Sequence, residues 1–377
     1  MSVSLDTRWV RLTALVVGCL LSFPWERIGL VALGLKLLLA SALLTYAFMP
    51  AVIWLANRMG AMDIPDTRRV HLQPTPRIGG LAVFVSVNLS LFLNFDYSLA
   101  LKGACISAIL VAVVSLWDDL HGLSAKVKLA AQLIALGILF AFGVHVEFAP
   151  DTWWGNLAEY AVTALWVIGI ANAFNFLDGI NGLAASLGVA ICLLMGLLAW
   201  KTSQIYMLFL CMAVAGAALG FMPDNARYAR PARAFLGDIG SIYLGWMMAC
   251  IVVLGDWSDE GPLKAYAAPV LIFSIMIFDM VYTTVARIYH GKVKSLHEWV
   301  AYVGRDHLHH RLMTLGLSQK QTVMAIVGMA LTTGLGALAM IRAEHLSVWL
   351  LLGQGVVLYL LLSFIMILAA DRLEKGE

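Results

Sequence analysis

Charge is what this chain has least of. Only 13 % of its 377 residues are Asp, Glu, Lys or Arg, about half the share of an ordinary soluble domain. That scarcity excludes a disordered chain and a soluble two-domain enzyme. Cysteine is sparse too. Cys19, Cys105, Cys192, Cys211 and Cys250 stand singly in apolar stretches, which excludes a disulfide scaffold and a cysteine metal knuckle and leaves them as small core residues. A net charge of +2 says little about partners, because in a membrane chain the distribution of charge matters more than its sum; no nucleic-acid partner is expected. What abounds is apolar: 61 % of the residues are hydrophobic and the mean hydropathy is +0.86, which places the chain in the membrane class.

Crossing a bilayer as a helix takes roughly 20 apolar residues. Eleven runs bounded by polar residues approach or exceed that length, at 29–57, 78–95, 100–117, 127–144, 157–174, 182–200, 204–222, 239–255, 265–286, 321–341 and 346–370. They are too long for barrel strands and do not alternate in polarity. The expected fold is therefore an all-α integral membrane protein, a polytopic bundle of about eleven transmembrane helices, with residues 29–377 forming one transmembrane domain. Residues 1–28 form an N-terminal segment in which Leu12–Phe23 is apolar but short and follows Arg8 and Arg11. It suits a short extra crossing, an interfacial helix or a signal-like segment, and the lack of a small-residue cleavage site argues against removal.

Basic residues are retained on the cytoplasmic side. Arg58, Arg68, Arg69, Arg77, Lys126, Lys128, Arg227, Arg230, Arg233, Arg287, Lys292, Lys294, Arg305, Arg311, Lys320, Arg372 and Lys375 fall in the odd-numbered loops and the tail, against only Lys102, Lys201, Lys264 and Arg342 in the even ones. Seventeen against four puts the odd loops in the cytoplasm. The acidic residues and histidines collect on that same side, and ionisable groups are almost absent from the hydrocarbon centre. That pattern argues against a transporter or lipid flippase with a polar midplane pathway, the competing function class.

Four stretches at this face carry chemistry. Asp118 and Asp119 end a helix in SLWDDLHG; both reach one site only if the helix frays at Gly122, and the alternative is a solvated polar stop. Asn172 to Leu183 reads NAFNFLDGINGL, with Asn175 and Asp178 on one helix face and glycines that let backbone N–H groups approach a ligand; an ordinary Asx turn is the alternative. In FLGDIGS, Asp238 opens a helix, where a lone Asp is most often an N-cap. GRDHLHHRL gathers Arg305, Asp306, His307, His309, His310 and Arg311, which suit a diphosphate or make a solvated basic loop. Together these offer Asp and Asn oxygens for a hard cation and basic groups for phosphate, the ingredients of Mg²⁺- or Mn²⁺-assisted phosphoryl transfer.

The ordered set DD, NAFNFLDGING, FLGDIGS and HLHH resembles the polyprenyl-phosphate N-acetylhexosamine-1-phosphate transferases, glycosyltransferase family 4. The HLHH form resembles the bacterial branch acting on undecaprenyl phosphate and UDP-N-acetylglucosamine; the phospho-N-acetylmuramoyl-pentapeptide transferase branch has three consecutive histidines, a run that Leu308 interrupts here. The resemblance implies an enzyme of the bacterial inner membrane with cytoplasmic catalytic loops. It would take a UDP-N-acetylhexosamine and undecaprenyl phosphate within the lipid bilayer, release UMP and begin cell-envelope polysaccharide synthesis, with homodimerisation a further expectation. It implies catalytic roles for Asp118, Asp119 and Asp238, with Mg²⁺ (or Mn²⁺) on Asp238 and Asn175. Substrate contacts are implied for Lys128, Asn172, Asp178, Asn181, Arg305, His307, His309 and His310, and for Arg68, Arg69 and His71 in the loop MDIPDTRRVHLQPTPRIGGL. Asn181 stands where many bacterial members carry Asp. Asp279, Thr283 and Arg287 recur on one helix face, which suggests a buried Asp279–Arg287 pair.

Overall fold

A backbone that crosses hydrocarbon must satisfy its own N–H and C=O groups, so long apolar runs fold as helices. The computed structural model describes residues 3–22, 29–65, 73–94, 98–258, 261–295, 298–299, 302, 304–341 and 343–375. In chain order the elements are α1 (Val3–Ser22), α2 (Leu30–Met59), β1 (Met62–Asp63), β2 (Thr75–Pro76), α3 (Gly80–Phe92), α4 (Leu99–His121), α5 (Ala125–Ala141) and α6 (Trp153–Leu177). There follow α7 (Leu183–Lys201), α8 (Ile205–Asn225), α9 (Gly237–Leu254), α10 (Pro262–Ile272), α11 (Ser274–Tyr289), α12 (Leu308–Thr314), α13 (Gln319–Met340) and α14 (His345–Lys375). The two short strands pair antiparallel, Met62 opposite Pro76 and Asp63 opposite Thr75.

All eleven expected apolar runs are helical, but not all as single full-length spans. Eight described helices are long and apolar enough to cross a membrane, or nine if the pair α10–α11, bent by 71°, counts as one span. α3 and α5 have 13 and 17 residues, and the expectation of about eleven crossings counted both. The run at 265–286 breaks at Phe273, just beyond Pro269, where Ser274 Oγ donates to the Leu271 carbonyl at 2.6 Å. In the N-terminal segment α1 packs along α2, and its apolar part is Trp9–Ser22.

Small residues set the closest helix contacts. Gly216 and Gly220 of α8 lie against the Leu38 and Ala42 carbonyls of α2, where any side chain would collide. α9 is the central helix: every residue from Ile239 to Val252 is buried, between α4 and α6. Trp246 donates to Ser107 Oγ at 3.0 Å, and the Tyr243 hydroxyl accepts from Asn88 at 2.9 Å. The start of α9 is pinned to the start of α3, because Gly79 and Gly80 donate their N–H groups to the Phe235 and Leu236 carbonyls at 2.9 and 2.8 Å. At this one end of the bundle the C-termini of α4, α6 and α8 meet the N-termini of α5 and α9 and the β1–β2 hairpin.

Candidate active site

α4 does not fray. It runs through Asp118 and Asp119 to His121, and the two carboxylates diverge as neighbours on a helix must. Asp118 accepts the Leu123 N–H at 2.5 Å and the Lys128 ammonium at 2.6 Å. Asp119, with its side chain fully buried, accepts from Arg77 Nε at 3.2 Å and from the backbone N–H groups of Asp238 and Ile239 at 3.2 and 3.0 Å. Asp119 therefore caps α9, the role that position alone suggested for Asp238. Asp238 sits inside the first turn, freed to bind side chains: its Oδ2 accepts from Lys128 at 2.8 Å and its Oδ1 from Asn175 at 3.1 Å. One ammonium thus bridges carboxylates 120 positions apart, on α4 and α9. Gly237 makes this approach feasible. Its φ of +72° suits glycine, and a Cβ there would strike the Arg77 carbonyl and the Asp119 carboxylate.

The turn after α6 supplies the next wall. Asn175 also donates to Ser241 Oγ at 2.8 Å, which ties α6 to α9. Asp178 is half-buried, and burial followed by the charges of Asp238 and Asp119 pushes its carboxyl well above the usual range. Gly182 turns the chain with φ +80° and donates its N–H to Asn225 Oδ1 at 2.7 Å, while Asn225 donates to the Ala234 carbonyl at 3.0 Å. These segments surround a cavity of about 950 Å³ whose lining includes Asp119, Asn175, Asp178, Asn181 and Asp238 together with Arg227, Tyr228, Arg230, His310 and Lys320. Asn172 stands apart from it. Its amide is engaged with Gln132 at 2.9 Å and with the Ile168 carbonyl at 2.7 Å, a pairing that joins α5 to α6 one helical turn before Asn175.

The histidines divide by function of place. His307 is buried, its Nδ1 2.7 Å from Asp279 Oδ2, and its ring packs on Phe176. Asp279 also accepts the Leu308 N–H at 2.6 Å. The expected Asp279–Arg287 pair does not form, because Arg287 turns to Asp306 with hydrogen bonds of 2.8 and 2.7 Å. Thus α11 anchors the loop through two carboxylate contacts instead of pairing within itself. Arg287 in turn holds the Asp306 carboxyl below its usual range against the opposing effect of burial. His309 is 1 % exposed, neither ring nitrogen is hydrogen-bonded among the described residues, and it presses on Gly179, where a Cβ would strike Nε2. Burial, then the nearby His310 and His307, push its pKa well below the ordinary value. Only His310 of the three faces the cavity. Arg305 is exposed, and Arg68, Arg69 and His71 lie outside the described residues.

The structure therefore brings Asp118, Asp119, Lys128, Asn175 and Asp238 into one hydrogen-bonded group beside Asp178, Asn181 and His310. Sequence reading did not place Arg77, Asn225 or Ser241 there. Arg77 carries no spacing signal: the hairpin delivers it, through the Arg77 N–H donated to the Ala61 carbonyl at 3.1 Å. Asn225 had a faint one, a second polar residue beside Asp224 at a helix end.

Comparison with known proteins bears on this geometry. The family described as Glycosyl transferase family 4 matches residues 101–256, the stretch that runs from α4 to the end of α9. A probable undecaprenyl-phosphate N-acetylglucosaminyl 1-phosphate transferase of Bacillus subtilis (strain 168) is 30 % identical over 337 residues, covering 88 % of this chain and 90 % of the relative. The chain belongs to glycosyltransferase family 4. A second relative, the decaprenyl-phosphate N-acetylglucosaminephosphotransferase of Mycobacterium tuberculosis (strain ATCC 25618 / H37Rv), is 31 % identical over 350 residues and covers 82 % of this chain and 83 % of its own. A phospho-N-acetylmuramoyl-pentapeptide-transferase of Levilactobacillus brevis is 31 % identical over 242 residues, covering 58 % of this chain and 74 % of its own. Likeness to the N-acetylglucosamine branch thus extends over more of this family 4 chain.

Proposed function

We propose that this protein transfers N-acetylglucosamine 1-phosphate from UDP-N-acetylglucosamine to undecaprenyl phosphate and releases UMP. The observation that carries the reading is the Lys128 bridge between Asp118 and Asp238 at the rim of a cavity walled by Asp178, Asn181 and His310. In the reaction a lipid-phosphate oxygen attacks the β-phosphorus of the UDP-sugar, and the bond from that phosphorus to the bridging oxygen breaks, with UMP as leaving group. The lipid phosphate is largely ionised at neutral pH, since a phosphate monoester has its second pKa near 6, so little base catalysis is required. Positioning and charge neutralisation dominate.

The donor set fits a magnesium ion. The carboxylates of Asp118, Asp119 and Asp238 outnumber Lys128 and Arg77, which leaves an excess of negative charge. Among the described residues no three His, Cys, Asp or Glu side chains stand close enough to cage a metal alone. Mg²⁺ is commonly held by one or two carboxylates plus substrate phosphates and water, which suits Asp238 with Asn175. Asn175 would present its amide oxygen by turning over the group that now donates to Asp238 and Ser241. Bound there, the ion would neutralise charge developing on the diphosphate. Lys128 holds Asp118 and Asp238 in place, Asp119 fixes the α9 N-terminus and Arg77 steadies Asp119. His310 and the Gly179–Gly182 turn face the nucleotide sugar.

The seventeen-to-four distribution of basic residues supports placing this end of the bundle in the cytoplasm of a bacterial inner membrane. The test is UMP release by purified protein given undecaprenyl phosphate, Mg²⁺ and one UDP-sugar at a time. UMP from UDP-N-acetylglucosamine supports the proposal. UMP released only with the N-acetylmuramoyl-pentapeptide donor, or with none, overturns it.

A further inference from the structure

Asp224, at the end of α8, is completely buried, and its carboxylate holds two arginines. One comes from the N-terminal helix. Arg11 of α1, 8 % exposed, donates from one terminal nitrogen to both Asp224 oxygens at 2.8 and 2.9 Å and from the other to the Tyr46 carbonyl at 3.2 Å. Its guanidinium also lies over the Tyr46 ring, 4.4 Å from the centroid. Arg11 thus reaches past α2, on which α1 packs, to bind the end of α8. The second cation is Arg233, whose side chain meets Asp224 at 2.8 Å and whose N–H donates to the Asp224 carbonyl at 2.7 Å.

These bonds continue into the cavity. Asn225, next in the chain, binds Gly182 in the turn that carries Asp178 and Asn181, and also Ala234 at the far end of the loop. Phe235 donates its N–H to the Pro76 carbonyl at 2.8 Å. The segment from Ala226 to Ala232 is therefore pinned at both ends by groups that depend on Asp224 and Asn225, and Arg227, Tyr228 and Arg230 within it line the cavity.

We propose that Arg11 is a positioning residue for the nucleotide-sugar half of the site: through Asp224 it fixes the cavity wall from Ala226 to Ala232 and the Gly182 turn. The N-terminal helix is then a working part of the enzyme and sets affinity for the uridine nucleotide. A buried carboxylate that loses Arg11 keeps, among the described residues, the Arg233 ion pair, whose arginine side chain is 43 % exposed, and is drawn toward water with the loop attached. The inference rests on the proposed function for the identity of the ligand.

The experiment compares full-length wild type with Arg11→Gln, Arg11→Lys and the control Gly18→Ala, all in nanodiscs. UDP binding is measured by calorimetry, kinetics by UMP release and stability by thermal midpoint. Gly18→Ala crowds Leu43 and Leu44 on the same α1–α2 interface and touches nothing in the Asp224 network. Arg11→Gln is expected to raise the UDP Kd and the KM for UDP-N-acetylglucosamine about tenfold, with the KM for undecaprenyl phosphate within about twofold of wild type. Arg11→Lys should fall between, and Gly18→Ala should lower the midpoint without moving Kd. If Arg11→Gln does not fold, Arg11→Lys alone decides by the same two constants. Unchanged UDP affinity in the Arg11 variants, or an equal loss in Gly18→Ala, overturns the inference. Wild type that binds UDP yet releases no UMP counts against the proposed function instead and leaves the binding comparison to judge this one.

Discussion

Lys128 sits between Asp118 and Asp238, at 2.6 and 2.8 Å, and keeps two carboxylates from facing each other uncompensated. Lys128→Ala should lower UMP release about 10²- to 10³-fold, as expected for loss of a preorganised charged donor, with Lys128→Met no better and Lys128→Arg partly active. Activity within threefold of wild type in Lys128→Ala would remove the bridge from the mechanism. His309 permits a prediction about pH. Burial, with His310 and His307 nearby, keeps it neutral well below the ordinary value of 6.5, whereas the unfolded chain takes up a proton near that value. The unfolded state thus binds more protons below pH 6.5, so this contribution to stability is complete above that pH and is lost as pH falls toward the folded value. The thermal midpoint should drop less between pH 7.5 and 5.5 in His309→Gln than in wild type; an equal drop would assign acid sensitivity to other groups. What could be read from the sequence at this scale was residue type and the gathering of the polar turns at one end of the bundle. Partnership could not: Asp119 as the cap of α9, and Asp279 with His307 instead of Arg287, arise from contacts between segments far apart in the chain.

Elements explain why adjacent aspartates serve one site without a frayed helix. α4 stays regular to His121, and α9 is brought to it because Gly80 and Gly240 let α3 and α9 touch backbone to backbone. The left-handed turn at Gly237 then presents two N–H groups to Asp119. Gly237→Ala meets both a disfavoured φ and the Arg77 carbonyl, so it should cost at least about 1 kcal/mol in stability and most of the transfer activity. Wild-type melting and turnover in that variant would contradict this account of the α9 start. Helix positions were legible from apolar runs because hydrocarbon enforces length. The bend between α10 and α11 and the shortness of α3 and α5 were not, since apolar composition does not mark where a helix stops, and the start of α3 is set by its backbone bonds to Phe235 and Leu236.

Across the whole molecule, the motif order identified a site before its geometry was visible, because four polar turns in so apolar a chain have few reasons to exist. The N-terminal segment was the least legible part. Its composition left three roles open, and the Arg11–Asp224 contact, between residues 213 positions apart, ties it to the cavity. At the centre of the proposed function, separate turns at one end of the bundle would surround a single divalent ion held by protein carboxylate and substrate diphosphate. The most direct measurement is anomalous diffraction from crystals grown with Mn²⁺ and UDP-N-acetylglucosamine. The account predicts one manganese peak in coordination contact with Asp238 and the diphosphate, with the nucleotide inside the cavity lined by Asp178 and Asn181. A peak remote from Asp238, or a nucleotide bound outside that cavity, would contradict it.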